Sequence, residues 1–305
     1  MNKRILFTGG SGLLALNCAI HLRNDFEIYL GLHSRVISLD GVKTCKLNLE
    51  NEEELELLLK RIKPDILVNT AGMTNVEECE LNPNEAFKIN SMVPGRLAKM
   101  SKNLDIYFIH ISTDHLFDGT KSFQSEEDTI SPLNVYGKSK AKGEQEVLEN
   151  NNNALIVRTN FFGWGTFYRK SFSDYIIENL KSGKDIDLFD DVNYTPILAS
   201  TVASFIKILI QKQQFGIYTI VSSEKITKYD FGKLIANKFG FNKSLINKSS
   251  IKSKLNLIQR PLDMSLSNLK FKNLIKLEIP TITTQIEELY NQQFEAEYIK
   301  LKNLK

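Results

Sequence analysis

From its first residues the chain alternates short runs of β-branched and aromatic residues with longer runs whose apolar positions recur every three or four residues. KRILF (3–7) predicts a strand that stops at a glycine-rich turn. LLALNCAIHLR (13–23) then sets Leu13, Leu16 and Ile20 beside Leu14, Ala15, Cys18 and Leu22 on a broad apolar helical face. Further strands are predicted at FEIYLGL (26–32), KTCKL (43–47), DILVNTAG (65–72), IYFIHIST (106–113) and ALIVRTN (154–160). Helices are predicted at 51–62, with Asn51 or Asn48 as cap, around 84–102, and over the YGKSK stretch (136–140) that follows the breaker Ser131-Pro132.

Six β–α alternations with short connections predict the α/β class: a Rossmann-type doubly wound parallel sheet with helices on both faces. Such sheets bind nucleotides at the carboxyl ends of their strands. Thr8–Ala15, Gly31–Arg35, Asn48–Glu50, Thr70–Thr74, Ser112–Asp114 and Arg158–Asn160 are therefore expected along one edge. Beyond residue 160 the pattern is less regular. Helices near 170–182, 198–212, 228–239 and 281–295 predict a smaller C-terminal substrate-binding domain. The expected division is 1–160, then 161–295 with segments free to return to the first sheet, then a tail at 296–305.

Composition narrows the function classes. With 305 residues, 42% hydrophobic and 25% charged, the chain is an ordinary globular one. A net charge of +3 and the lack of an Arg-rich, aromatic-interleaved cluster predict no nucleic-acid partner. The basic end, AEYIKLKNLK, reads as a solvated helix end. Cys18, Cys45 and Cys79 form no CxxC pair and suit a reducing compartment. His21, His33, His110 and His115 have no metal-ligand spacing, so no metal is expected. No apolar run is long enough to span a membrane, and the opening strand leaves no room for a signal peptide, so a cytoplasmic protein is expected. A homodimer is compatible with all of this.

The candidate chemistry begins at TGGSGLLA (8–15), between a strand and a helix. Gly9 permits the tight turn and Gly12 lets backbone approach a pyrophosphate at the helix N-terminus, while Gly10, Ser11, Leu13 and Leu14 complete the loop. Ala15 stands where close helix–strand packing usually selects glycine. NAD binders commonly end the second strand with an acid for the ribose 2′-OH. Here GLHSR carries none, and Ser34 and Arg35, next to His33, suit a 2′-phosphate; the alternative is a surface arginine in a loop. The expected cofactor is NADPH, with NADH as second choice. Asn48, Leu49, Thr70, Ala71 and Gly72, at the ends of the third and fourth strands, complete the expected cofactor set.

Tyrosine and lysine stand four apart three times: Tyr136–Lys140, Tyr229–Lys233 and Tyr298–Lys302. Only the first follows a strand end, the one carrying Ser112, Thr113 and Asp114. Residues four apart share a helix face, so Lys140 is expected near Tyr136, lowering the tyrosine pKa toward working pH for general acid–base work. Thr113 is expected to polarise the same substrate oxygen. Ser112 is expected to face the other side of its strand.

TGGSGLLA, NTAG (69–72), STD (112–114) and YGKSK together resemble the extended short-chain dehydrogenase/reductases. PDILVNTAGMTNVEECELNPNEAF, STDHLFDG, SPLNVYGKSKAKGE, VRTN and RPLDMSLSN (260–268) are similar to the dTDP-4-dehydrorhamnose reductase branch, over about residues 3 to 290. The resemblance implies reduction of the C4 ketone of a nucleotide-linked sugar by NAD(P)H. In it Tyr136 protonates the alkoxide, Lys140 holds Tyr136 and the ribose, Thr113 is the catalytic Ser/Thr, and Asp114 contacts the sugar. Thr74, Asn160 and Phe161 join the implied substrate set, and Arg260 pairs with the pyrophosphate or makes a structural ion pair. The chain departs from the pattern where RTNF (158–161) replaces RTSW and DDVNYTP (190–196) replaces DQxGxPT. Those are substrate positions, so the product the resemblance implies is a rhamnose or another 6-deoxy or amino sugar. The rival readings are an epimerase or dehydratase of the superfamily, and a non-catalytic NADP-binding regulatory subunit such as the beta subunit of methionine adenosyltransferase.

Overall fold

A computed structural model describes residues 2–254 and 256–304. Six strands, β1 (Arg4–Thr8), β2 (Glu27–Leu32), β3 (Lys43–Lys46), β4 (Ile66–Asn69), β5 (Tyr107–Ser112) and β6 (Leu155–Arg158), lie in one parallel sheet. A seventh, Gly216–Thr219, pairs parallel with β6, giving the order Gly216–Thr219, β6, β5, β4, β1, β2, β3. The order reverses between β1 and β4, the switch point at which doubly wound sheets open a ligand crevice.

Alternation along each strand divides the core between two faces. Ile5 and Phe7 of β1 point into the larger cluster, with Leu30, Val68, Ile109 and Val157, under the Leu13–Leu22 and Ala199–Gln211 helices. Leu6 points the other way, with Leu67, Phe108 and Ile156, under the Glu52–Ile62 and Val93–Asn103 helices. Covered on both faces, the strands read as nearly continuous apolar runs. Asn51 caps the first of those two helices, its side chain accepting from the Glu54 N–H at 3.2 Å.

After β6 the chain builds a smaller body from the Phe172–Lys181, Lys228–Phe239 and Ile282–Gln292 helices. Three small sheets accompany them, one pairing Phe161–Phe162 with Ile197–Leu198. Ile186–Phe189 pairs with Ile246–Ser249, and Asn193–Tyr194 lies between Ile226–Thr227 and Asp263–Met264. Gly216–Thr219 and the Ala199–Gln211 helix return to the first sheet.

Two elements differ from expectation. The helix expected around 84–102 is broken into Pro83–Phe87, a π-turn at Lys88–Met92, and Val93–Asn103. The turn carries Asn90 inward, where its amide bonds the Met73 N–H and carbonyl and Ser139 Oγ at 2.8, 2.9 and 3.0 Å. Gly143 admits this turn, since a Cβ there would lie 2.1 Å from the Asn90 carbonyl oxygen. The basic chain end is not a solvated helix end. Ala296–Lys302 is a helix that buries Tyr298 and Leu301, with Arg23 paired to Glu297 at 2.9 Å. Its apolar residues, three apart on one face, outweigh its lysines.

Candidate active site

The carboxyl ends of the strands open into a cleft of about 400 Å³. The glycine turn forms one wall. Gly9 sits at φ +60, with Ala71 so close that a Cβ would lie 2.8 Å from its Cα. The Leu13–Leu22 helix starts at Gly12 without a side-chain cap, so its first N–H groups border the cleft unclaimed by any side chain among the described residues. That arrangement fits a dinucleotide pyrophosphate. Gly12, Leu13 and Leu14 line the cleft with Thr70, Ala71, Gly72 and Thr74 from the end of β4. Gly9, Gly10 and Ser11 form the turn behind them.

At the end of β2, His33, Ser34 and Arg35 are exposed. No carboxylate occupies this strand end; instead the Arg35 guanidinium lies 3.7 Å from the centroid of the Tyr168 ring. Tyr168 donates its hydroxyl to the Ser11 carbonyl at 3.1 Å, and Arg169 Nη2 donates to Thr74 Oγ1 at 3.0 Å. The loop after β6 thus reaches back across the glycine turn. Asn48 and Leu49 stand outside the cleft: Asn48 accepts from the Glu50 N–H at 3.1 Å, and Leu49 packs on the opposite core.

On the other wall stand Thr113, Asp114, Tyr136 and Lys140, with Asn160 and Phe161. Asn134 caps the Val135–Asn150 helix by accepting from the Gly137 N–H at 2.9 Å, which fixes Tyr136 one residue into the helix. The Tyr136 ring meets His115 edge to face, centroids 5.3 Å apart. Asp114 accepts from Thr113 Oγ1 at 3.2 Å and from the Asn160 amide. Lys140 Nζ donates to the Ile111 carbonyl at 2.7 Å and lies 3.3 Å from His110 Nε2. Behind His110 the polar line continues through Asn69 to Thr8, at 3.0 and 2.5 Å. Burial brings the Lys140 pKa down to about 8, with Glu144 opposing it.

The expected lowering of the Tyr136 pKa is corrected by this geometry. Burial pushes its phenol well up, the nearby Asp114 carboxylate adds to that, and only the Thr113 hydroxyl pulls down. Lys140 is turned to Ile111 and His110 and does not offset the desolvation. Ser112 borders the cleft beside Thr113, but its hydroxyl is buried and has no hydrogen-bond partner among the described residues.

Two motif residues serve beneath the site. Arg158, which ends β6, forks onto Glu144 of the Val135–Asn150 helix through contacts of 2.8 to 3.2 Å. Both side chains are only 2–3% exposed. This pair ties the helix carrying Tyr136 and Lys140 to the sheet.

Arg260 does not line the Tyr136 cleft itself. Its guanidinium forks onto Glu77 at 2.6 and 2.8 Å. Phe161 lines the cleft, whereas Trp164 is buried elsewhere, with Nε1 donating to the Leu289 carbonyl at 2.9 Å. Tyr194, from DDVNYTP, is buried beneath Lys228. Of the rival Tyr–Lys pairs, Tyr298 is core and Lys302 covers the Trp164 ring, and Lys233 donates to the Lys243 carbonyl; neither pair lines the cleft. Sequence reasoning missed Tyr168, Arg169, Phe172, His115 and Lys228. Tyr168 and Arg169 lie in the aromatic–basic cluster Phe167–Lys170, which has no periodicity to place it, and His115 follows Asp114 within STDHLFDG.

The chain resembles known proteins along most of its length. The chain is 33% identical to the probable low-salt glycan biosynthesis reductase Agl14 of Haloferax volcanii, over 79% of this chain and 82% of that protein. It is 28% identical to the dTDP-4-dehydrorhamnose reductase of Aggregatibacter actinomycetemcomitans, over 88% and 92% respectively. It is also 28% identical to methionine adenosyltransferase 2 subunit beta of Rattus norvegicus, over 80% and 74%. The crystal structure of dTDP-4-dehydrorhamnose reductase from Bacillus anthracis in complex with NADP superposes with a TM-score of 0.86 at 23% identity, over 96% of this chain and 100% of that one. The model of the RmlD substrate binding domain matches residues 3–294, and the chain belongs to that family.

Proposed function

We propose that this protein reduces the C4 ketone of a nucleotide-linked 4-keto-6-deoxy sugar with NADPH, giving dTDP-rhamnose or a related sugar for cell-surface polysaccharide. One observation carries the reading: Thr113, Tyr136 and Lys140 line the same cleft as the uncapped helix start at Gly12. NADPH, when bound, supplies the hydride for C4. Tyr136 is the proton donor to the oxygen that becomes the alcohol. Its raised pKa suits that direction, because a donor must hold its proton at neutral pH. The Thr113 hydroxyl donates to the same oxygen. Lys140, anchored on the Ile111 carbonyl, supports Tyr136 and takes the ribose. Asp114, held by Asn160, faces the sugar, with Phe161 as an apolar wall.

The bare β2 end and Arg35 support NADPH over NADH. Three unpaired cysteines support a reducing compartment, and among the described residues no helix is long and apolar enough to cross a membrane.

The test follows NADPH absorbance with a panel of nucleotide-linked 4-keto-6-deoxy sugars, including the product of a 3,5-epimerisation. Rapid oxidation with one sugar is expected and identifies it. NADPH binding without consumption by any sugar favours the regulatory-subunit reading.

A further inference from the structure

Beneath the Tyr136 wall a line of buried polar side chains crosses three neighbouring strands, and its hydrogen bonds have a direction. Thr8 on β1, Asn69 on β4 and His110 on β5 are all fully buried. The Ala71 N–H donates to Thr8 Oγ1 at 3.3 Å, and the Thr8 hydroxyl proton goes to Asn69 Oδ1, 2.5 Å away. That leaves the Asn69 amide nitrogen, a donor only, toward His110 Nδ1 at 3.0 Å. Nδ1 therefore accepts, and in a neutral imidazole the proton then sits on Nε2. Nε2 lies 3.3 Å from Lys140 Nζ. An ammonium there sets donor against donor, whereas an amine has the lone pair that Nε2–H needs.

We propose that His110 is a positioning residue for the reduction: it turns its Nε2–H to Lys140 and so favours the uncharged amine of that lysine. Its effect on turnover rests on the reductase reading given above; the direction of the bonds does not.

Burial works in the same sense. It holds the His110 ring neutral, with the Lys140 charge adding to that, and brings the Lys140 pKa down to about 8. Glu144, one turn on, favours the ammonium, but its carboxylate is forked by Arg158. Tyr136, one turn back, has Thr113, Asp114, Cys79 and His115 about it. Glu80, on the Val76–Leu81 helix, accepts from the Val135 N–H. On the helical segments packed behind, Lys88 pairs with Glu50 and Glu85, and Arg96 with Glu52. His110 is thus the titratable group from another element that meets Lys140 Nζ. A phenolate left by Tyr136 is stabilised by an ammonium and not by an amine. The Tyr136 phenol, its own pKa pushed well up, keeps its proton through the alkaline range. Loss of turnover there follows Lys140.

The test reads the ring first. In protein labelled with ¹⁵N-histidine and loaded with NADP⁺, the imidazole nitrogen shifts are expected to show His110 as the neutral Nε2–H tautomer from about pH 6 to 9, assigned by its loss in His110→Gln. The Nδ1–H tautomer would reverse the line, make Nε2 an acceptor for the ammonium and overturn the proposal. A protonated ring would do the same. Turnover is read next, with the sugar that the panel identifies. His110→Phe removes the Nε2–H and should move the alkaline limb of kcat up by about half to one pH unit, the worth of one hydrogen bond. KM for the sugar should change less than about threefold, the scale of a group that does not touch it. His110→Gln offers an acceptor to Asn69 and a donor to Lys140, and should return the limb close to wild type. A limb that stays put in His110→Phe overturns the role. Lys228, also brought to about 8, stands over Tyr194 and Phe172, so a limb owed to it would not move. If His110→Phe does not fold, or no sugar is turned over, the wild-type tautomer still decides the assignment; the second outcome counts against the reductase reading alone.

Discussion

Two lysines near the site, Lys140 in the Tyr136 cleft and Lys228 in a second chamber lined also by Phe172, Val192 and Arg260, are held in opposite ways. Lys140 is tied to the Ile111 carbonyl and stands against His110, on a helix pinned to the sheet by Arg158 and Glu144. Lys228 is partly buried and lies over two aromatic rings, with no hydrogen bond among the described residues. Both have pKa values brought down to about 8 by burial. A satisfied charge belongs to machinery assembled before any ligand arrives. An unsatisfied one is a cost held in the folded protein, recovered when a counter-charge binds. The Tyr136 wall is thus pre-organised, whereas the second chamber keeps a lysine unpaired among the described residues.

The largest test of this contrast falls on the pre-organised wall. Tyr136→Phe should lower kcat by about 10²- to 10⁴-fold, the range for a general acid, with the NADPH dissociation constant unchanged. Single-turnover absorbance and fluorescence titration measure the two. Full activity would mean that the Tyr136–Lys140 pair is structural.

Next comes the support beneath it. Glu144→Leu strands the buried Arg158 guanidinium and should cost about 3–5 kcal/mol of stability, read from denaturant unfolding. A loss below 1 kcal/mol would mean that water reaches Arg158 and that the helix is held by packing alone.

The same contrast explains what the sequence discloses. A parallel sheet brings its strand ends to one edge, so a short motif after each strand is enough to locate a site residue. Gly12, Thr70–Gly72, Thr113 and Tyr136 all reached one cleft by that rule. After β3, Asn48 accepts from the Glu50 N–H and is not among the residues lining that cleft. The rule could not foresee that burial outweighs Lys140 in setting the Tyr136 pKa, because desolvation depends on the whole surrounding core. The second chamber follows no such rule. Phe172, Val192, Lys228 and Arg260 come from four separate segments, and only tertiary packing joins them. Arg260 and Glu77 are 183 residues apart, and no periodicity links them.

A smaller effect is expected at the rim of the cofactor wall. Arg35→Ala removes an exposed cation stacked on Tyr168 and should weaken NADPH about tenfold, roughly the 1.4 kcal/mol of one screened charge contact. NADH should lose less than threefold. Equal losses for the two would assign Arg35 to closing the Tyr168 loop over the glycine turn instead of to a 2′-phosphate.

The last prediction separates the two lysines by pH. Lys228 titrates near 8 in the folded chain, against 10.5 in its unperturbed state. Below pH 8 it is charged in both the folded and unfolded chain, so the full cost of desolvating it bears on the folded state. As pH rises from about 8 to about 10.5 the folded state sheds its proton first, the unfolded state holds more protons, and that cost fades. Lys228→Met never carries the charge. At pH 7 it should therefore be more stable than wild type, by about 1 kcal/mol once partial solvent access is allowed for. The advantage should shrink toward zero by pH 10, as followed by urea unfolding at each pH. Lys140→Met should show no such gain, because it leaves the Ile111 carbonyl without its donor and so offsets what removing the charge returns. A gain at Lys140 equal to that at Lys228 would erase the distinction between a satisfied lysine and an unpaired one. A gain at Lys228 alone would mark its charge as held at the expense of stability.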